Sequence, residues 1–253
     1  MPLPESRTAA DNSASSLLVI IPAYNEEASV GYVVQSVKEV LPGARIAVID
    51  DGSWDGTAQT AARAGAEVLQ LPHHLGLGGA VQTGYRFGFE QGFEKVVRLD
   101  GDGQHNAADI PALLRAMDEG GYDMVTGSRF LIRNGYKIQF LRRLGGLIFS
   151  WILRPILSQR ITDPTSGFIA VNRRALEVFE HSFPLEYPEI ETLVVLKRNA
   201  LRFREIPAKM FPRRAGQSTI GSWTAIYYMV RILLGVFVNV IKYERRFHTG
   251  RRG

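Results

Sequence analysis

Two carboxylates, Asp100 and Asp102, alternate with glycines in Asp100-Gly101-Asp102-Gly103-Gln104-His105, directly after the run Lys95-Val96-Val97-Arg98-Leu99. Such a run reads as a buried strand, and acids at its end stand where ligands bind in an open α/β sheet. Hard cations such as Mg²⁺ or Mn²⁺ take oxygen ligands and bind through one or two carboxylates plus a substrate's phosphates. Gly101 and Gly103 let a polyphosphate approach the backbone closely. The same letters also spell an ordinary Asp-Gly turn, because both residues favour turns for reasons unrelated to catalysis.

Three other segments repeat the theme. Ile21-Pro22-Ala23-Tyr24-Asn25-Glu26-Glu27 ends the apolar run Leu17–Ile21 and opens a segment with apolar residues at Val30, Val33, Val34, Val37 and Leu41, a strand, loop and helix. Ile46-Ala47-Val48-Ile49-Asp50-Asp51-Gly52-Ser53 is a second strand ending in acids, and Asp55 is placed to cap the helix that follows. His73-His74-Leu75-Gly76-Leu77-Gly78-Gly79-Ala80 is a glycine-rich loop leading into a helix that runs to Gln91. It lacks the third glycine of a dinucleotide fingerprint and does not lie at the first βα turn.

In this order, P-A-Y-N-E, D-D-G-S, G-L-G-G-A and D-G-D-G-Q-H resemble the family-2 glycosyltransferases of GT-A fold, and among them the dolichyl- and polyprenyl-phosphate sugar synthases. The resemblance spans Leu17 to Ser218. It implies a Rossmann-like α/β domain with a mainly parallel central sheet, which donates a sugar from a nucleoside diphosphate. Pro22, Tyr24, Asn25 and Glu26 match the nucleotide-binding loop, with Glu26 and Asp51 suited to the base and ribose. Asp100, Gly101 and Asp102 match the diphosphate and metal site, and Gln104 the third polar position after the acids. Arg129 of Gly127-Ser128-Arg129 matches an arginine that reaches phosphate. Asp163-Pro164-Thr165-Ser166-Gly167-Phe168 is similar to the acceptor-side loop, in which Asp163 would orient acceptor or sugar. Arg213 of Arg213-Arg214-Ala215-Gly216-Gln217-Ser218 matches R-x-x-G-x-S and would grip a phosphate, as a guanidinium fork is shaped to do. Ile169 stands where the family often has arginine, and the Q-x-x-R-W motif of processive synthases is absent.

The acceptor decides whether a base is needed. A sugar hydroxyl must lose a proton as it attacks, and Glu191 or Asp163 would take it. A polyprenyl phosphate is already an anion and needs only orientation and charge neutralisation. A nucleotidyltransferase is a rival enzyme reading, and a membrane-surface scaffold on the same fold is the rival without catalysis. Glu189 and Glu191 also suit a solvated helix N-terminus, which favours acids.

Charge distribution bears on the acceptor. The 253-residue chain has a net charge of +5, 45% hydrophobic and 22% charged residues, and no cysteine. That is a globular chain without thiolate chemistry, suited to a reducing compartment. No acid occurs from Met124 to Thr162, and Glu244 is the only one after Ile206, while arginine and lysine recur in both stretches. Apolar residues interleave with the cations: Phe140 to Leu153 includes Trp151, and Thr224 to Ile241 precedes Lys242-Tyr243-Glu244-Arg245-Arg246. The second stretch is just short of the ~20 residues of a membrane span and carries Arg231. It reads as an amphipathic helix lying among anionic lipids at the cytoplasmic face of the membrane. Packing on its own domain, or on a second copy in a homo-oligomer, would satisfy the same pattern. No helix-turn-helix, zinc or RNP signature supports nucleic acid. The expected organisation is a flexible tail over 1–16, a GT-A domain over 17–218 and a basic amphipathic membrane-associating segment over 219–253. Strands are expected at Leu17–Pro22, Arg45–Asp50, Glu67–Leu71, Lys95–Asp100, Met124–Gly127, Phe168–Val171 and Arg202–Phe211.

Overall fold

A computed structural model describes residues 16–132, 154, 155, 157, 159, 161–186 and 188–213. The expected tail over 1–16, apart from Ser16, and the C-terminal segment over 219–253 lie outside the described residues, as does most of the first basic apolar stretch.

The chain alternates β1 (Leu17–Ala23), α1 (Glu27–Val40), β2 (Arg45–Asp50), α2 (Thr57–Arg63), β3 (Glu67–Gln70), α3 (Gly76–Glu90), β4 (Lys95–Arg98), α4 (Ile110–Gly120), β5 (Met124–Ser128), β6 (Ile169–Asn172), α5 (Arg173–Ser182), α6 (Pro188–Arg198) and β7 (Phe203–Pro207). The seven strands form one sheet in the order β3-β2-β1-β4-β6-β5-β7. β1 pairs in parallel with β2 on one side and β4 on the other. The order therefore reverses at β1, a topological switch point with a crevice beyond its carboxyl end. β6 runs antiparallel to both β4 and β5, and β5 is parallel to β7. Six strands thus end at one edge of the sheet, and the lead-in to β6, residues 161–168, enters at that same edge.

Alternation along β1 divides the core. Leu18 and Ile20 face Ala80, Val81 and Tyr85 of α3, with Phe179 of α5 and Leu193 of α6 behind them. Val19 and Ile21 face Val30, Val33, Val34 and Val37 of α1 and Leu113 and Met117 of α4. Helices thus cover both faces, as a buried parallel sheet requires. Leu41, expected on the apolar stripe of α1, is instead its C-terminal cap.

β3 ends one residue early, at Gln70, and two strands are shorter than expected by more than that. β4 stops at Arg98 because the Asp100 N–H turns to the His105 ring (3.1 Å) rather than continuing the ladder. β7 stops at Pro207, after which the chain crosses to the loop following β4, where the Phe211 N–H donates to the Gln104 carbonyl (2.8 Å).

Glycines within α3 are packing devices. A Cβ on Gly84 would come within 2.9 Å of Ile20, and one on Gly88 within 2.7 Å of Val96, so α3 lies directly on the sheet. A Cβ on Gly78 would overlap the Leu185 carbonyl, which is backbone and has little room to give. Gly78→Ala should therefore destabilise the protein by about 1–3 kcal/mol through overpacking, whereas Gly43→Ala, with open space around it, should leave the melting temperature within about a degree; calorimetry of the two variants checks this.

Candidate active site

The loop after β4 is built around buried polar contacts. The Asp100 N–H donates to Nδ1 of His105, which places the ring proton on Nε2, 3.9 Å from Asp100 Oδ2. His105 stacks on Phe168, and its burial pushes the imidazole pKa down against the pull of Asp100 and Asp102, favouring the neutral ring. Burial opposes ionisation of Asp100, but Arg98, His105 and Arg129 outweigh it and hold that carboxyl below the usual range. Asp102 Oδ1 accepts from the Gln104 N–H (3.0 Å), an Asx turn that Gly103 completes with φ of 73°. A Cβ on Gly101 would press on Pro22 O and Ala23 at 3.2 Å, so this loop lies close to the end of β1. The Gln104 side-chain amide donates to Phe211 O (3.4 Å).

Arg213 joins this loop to the one after β1. Its Nη2 donates to Asp102 Oδ2 (3.0 Å), and its Nη1 lies 3.6 Å from Glu26 Oε1. Glu26 also accepts from Ser29 Oγ (2.8 Å). Burial raises its carboxyl pKa, Ser29 and Arg213 oppose that rise, and Asp102 and Asp100 add to it.

The loops after β1 and β2 are interlocked. Asn25, at φ of 56°, receives on its Oδ1 the Trp54 N–H (3.1 Å) and donates its own N–H to Ser53 Oγ (2.9 Å). Asp55 accepts from the Thr57 N–H (3.0 Å) at the start of α2, from the position before the cap residue, which is Gly56 rather than the expected Asp55. Asp51 accepts from the Leu75 N–H (2.7 Å) and pairs with His74 (2.9 Å), so it secures the start of α3. Burial nevertheless raises its carboxyl pKa, with Leu75 and His74 opposing. Tyr24 stacks on His74 at 3.9 Å and meets Trp54 edge to face at 5.7 Å. Trp54 is 81% exposed, which leaves a broad aromatic surface at the rim of the crevice.

On the other flank, Arg129 spans Asp163 with Nε to Oδ2 (2.6 Å) and Nη2 to Oδ1 (3.0 Å), and Nη2 also reaches Thr165. The Asp163 side chain is fully buried. In this arrangement the arginine is occupied by a carboxylate, and the aspartate has both oxygens engaged. Glu205 holds the loop from beneath, accepting from the N–H groups of Thr162 (2.6 Å) and Asp163 (2.7 Å); burial raises its carboxyl pKa against those bonds. Ser166 Oγ donates to Gly127 O (2.6 Å).

Glu189 is not solvated as the helix-terminus reading expects. It accepts from Arg98 Nη2 at 2.9 Å, and the same nitrogen donates to Asp100 Oδ1 at 3.1 Å. Glu191, two residues further along α6 and so on a different face of the helix, is half-buried. The structure thus gathers Pro22, Tyr24, Asn25, Glu26, Asp51, Asp100, Gly101, Asp102, Gln104, Arg129, Asp163 and Arg213 along one sheet edge. Sequence reasoning missed Arg98, His105, Glu189 and Glu205. For Arg98 the signal was present: a cation inside a buried strand must find an anion, since an unpaired buried charge is strongly destabilising.

Asp100 and Asp102 offer the hard oxygen donors that suit Mg²⁺ or Mn²⁺. Among the described residues no group of three or more His, Asp or Glu side chains could hold a metal by itself. The pair therefore fits a cation completed by substrate phosphates, the usual manner for Mg²⁺.

A doubly covered α/β sheet with two acids at its switch point is the arrangement of the GT-A glycosyltransferases. The sequence profile described as glycosyl transferase family 2 matches residues 18–179, and the chain belongs to that family. It is 30% identical to an undecaprenyl-phosphate mannosyltransferase of Micrococcus luteus, over 80% of this chain and 86% of that one. It is 34% identical to a polyprenol monophosphomannose synthase of Mycolicibacterium smegmatis, over 65% of this chain and 64% of that one. Its fold resembles that of glucosyl-3-phosphoglycerate synthase from Mycobacterium tuberculosis, solved with Mn²⁺, uridine diphosphate and phosphoglyceric acid. That likeness has a TM-score of 0.70 at 21% identity and covers 90% of this chain and 79% of that one.

Asp163→Ala should destabilise the domain by about 3–5 kcal/mol, because it leaves the Arg129 charge buried without its partner. Replacing both, as Arg129→Met with Asp163→Leu, should recover most of the loss; urea unfolding of the single and double variants checks this.

Proposed function

We propose that this glycosyltransferase moves a sugar from a nucleoside diphosphate to a polyprenyl phosphate at the cytoplasmic face of the membrane, inverting the anomeric centre. The observation that carries this reading is the Asp100–Asp102 pair at the switch point, linked through Arg213 to Glu26 of the loop after β1. Two relatives named for transfer to polyprenyl carriers support the acceptor class.

The nucleoside would lie across the loops after β1 and β2, between Tyr24, Asn25 and Trp54, and the diphosphate against Asp100, Gly101 and Asp102. Asp100 and Asp102, with Gln104 beside them, would hold Mg²⁺ or Mn²⁺, whose Lewis acidity offsets the negative charge developing on the departing diphosphate. Arg213 is partly exposed, and on donor binding its guanidinium would transfer from Asp102 and Glu26 to phosphate oxygens. Attack by a lipid phosphate needs no proton removed. This agrees with Asp163, one of the two carboxylates considered as a base, being committed to Arg129. Residues 17–218 would form the catalytic domain and 219–253 the membrane-associating segment. Among the described residues no helix is long and apolar enough to cross a membrane.

The purified protein, incubated with polyprenyl phosphate, Mg²⁺ or Mn²⁺ and a panel of uridine- and guanosine-diphosphate sugars, should yield a monoglycosylated polyprenyl phosphate by mass spectrometry. Asp102→Ala should cut turnover by roughly a hundred- to a thousandfold, and chelation should abolish it. Sugar appearing only on a glycan hydroxyl would overturn the acceptor assignment, and turnover undiminished by chelation the cation.

Membrane attachment is tested separately on the full chain. Arg245→Glu with Arg246→Glu should weaken binding to phosphatidylglycerol vesicles by at least about thirtyfold, at about 1 kcal/mol for each basic charge lost. Flotation assays read this directly, and equal binding would remove the proposed role of the segment.

A further inference from the structure

Among the described residues Arg98 is the largest side chain wholly inside the protein, 1% exposed at the end of a strand between Ile20 of β1 and Ile169 of β6. Its Nε has no hydrogen-bond partner, so the guanidinium is oriented by the bonds that Nη2 makes to Asp100 Oδ1 and Glu189 Oε1. One buried cation is thus shared by two carboxylates that come from different elements, 91 residues apart in sequence in the case of Glu189. The space is built for this sharing: a Cβ on Gly167 would stand 2.7 Å from Asp100 Oδ2 and 2.8 Å from Arg98 Nη2.

The charges are unequal in accessibility. The Asp100 side chain is 32% exposed and opens to the crevice, while Glu189 is more deeply set at 17%. Were Arg98 paired with Asp100 alone, the pair would be neutral and Asp100 a poor ligand for a cation. With Glu189 sharing the guanidinium, the three groups together carry one net negative charge, and it is Asp100 that faces the ligand side. Burial opposes the charge on Arg98, yet Asp100 and Glu189 together raise its pKa, which keeps the cation permanently in place.

We propose that Glu189 is a positioning residue for the donor site: by sharing Arg98 it releases Asp100 to a divalent cation, and cation binding in turn tightens Arg98 onto Glu189 and seats α6. This inference rests on the proposed donor-site reading. It adds a reciprocal coupling between Asp100 and the helix that carries Glu191, and such coupling must act equally in both directions.

The test uses the full chain and two readouts other than turnover. Free Mn²⁺ is followed by electron paramagnetic resonance during titration in the presence of uridine diphosphate, and amide hydrogen exchange is followed over residues 188–198. In the wild type, Mn²⁺ with uridine diphosphate should slow exchange at the start of α6. Glu189→Gln keeps shape and an acceptor oxygen while losing the charge. It should weaken Mn²⁺ binding ten- to a hundredfold, the usual range for a residue supporting a metal ligand, and abolish the change in exchange. Arg98→Met combined with Glu189→Gln removes the competing cation as well, and should bind Mn²⁺ at least as tightly as the wild type. Wild-type affinity in the single variant, no recovery in the double variant, or no exchange response in the wild type would each overturn the coupling. Failure of the wild type to bind Mn²⁺ with either uridine or guanosine diphosphate would instead overturn the donor-site reading itself, and the coupling with it.

Discussion

The reversal of one strand is the constraint on which the site depends. Because β6 runs against its neighbours β4 and β5, its amino-terminal end meets their carboxyl ends, and the loop over 161–168 is delivered beside the Asp100–Asp102 loop. In an all-parallel sheet that loop would approach from the opposite edge. Once it is delivered, Phe168 stacks under His105, Gly167 leaves space for Asp100 and Arg98, and Asp163 receives Arg129. Each contact joins the loop over 161–168 to a segment more than 30 residues before it in the chain. The crevice is therefore assembled by tertiary pairing rather than by any single βα unit.

The ion pairs along that edge divide by exposure into two kinds. Arg129 with Asp163, and Arg98 with Glu189, are closed to solvent or nearly so, the first bonded through Nε and Nη2 and the second through Nη2 alone. Breaking such pairs strands a charge in a low-dielectric interior, so they act as fixed parts of the frame. Arg213 with Asp102 and Glu26 is different, because its side chain is 31% exposed and its second contact is long, at 3.6 Å. Water can replace either partner at modest cost, and a surface pair of this kind contributes little stability. That is the property wanted of a residue that must exchange carboxylates for phosphate.

Much of the architecture was legible because local signals and tertiary structure agree. The apolar runs ending in acids or turn residues became β1, β2 and β4, and the stripe at Val30, Val33, Val34 and Val37 became the buried face of α1. The direction of β6 was not legible: Phe168 to Val171 is an apolar run that would look the same in either orientation, and only its pairing decides. Partners across long separations were hidden for the same reason. Glu189 looks like any acid at a helix start, and nothing local says that it meets Arg98. The glycines before and within α3 were weighed against a phosphate-binding loop, whereas several of them are spacing against Ile20, Val96 and Leu185.

The carboxylates also bear on the chemistry through what they are already doing. Burial pushes up the pKa values of Glu26, Asp51 and Glu205, and in each case hydrogen-bond donors or cations restrain the rise. These acids organise loops, and their oxygens are occupied by backbone N–H groups, serine or arginine. Asp100 is the contrasting case, with its pKa lowered and a third of its side chain open. An edge lined by engaged acids, with ionised Asp100 left partly open to the crevice, is better arranged to balance charge on phosphates than to abstract a proton. Such an edge suits a nucleophile that arrives already ionised, as the proposed phosphate acceptor would at neutral pH.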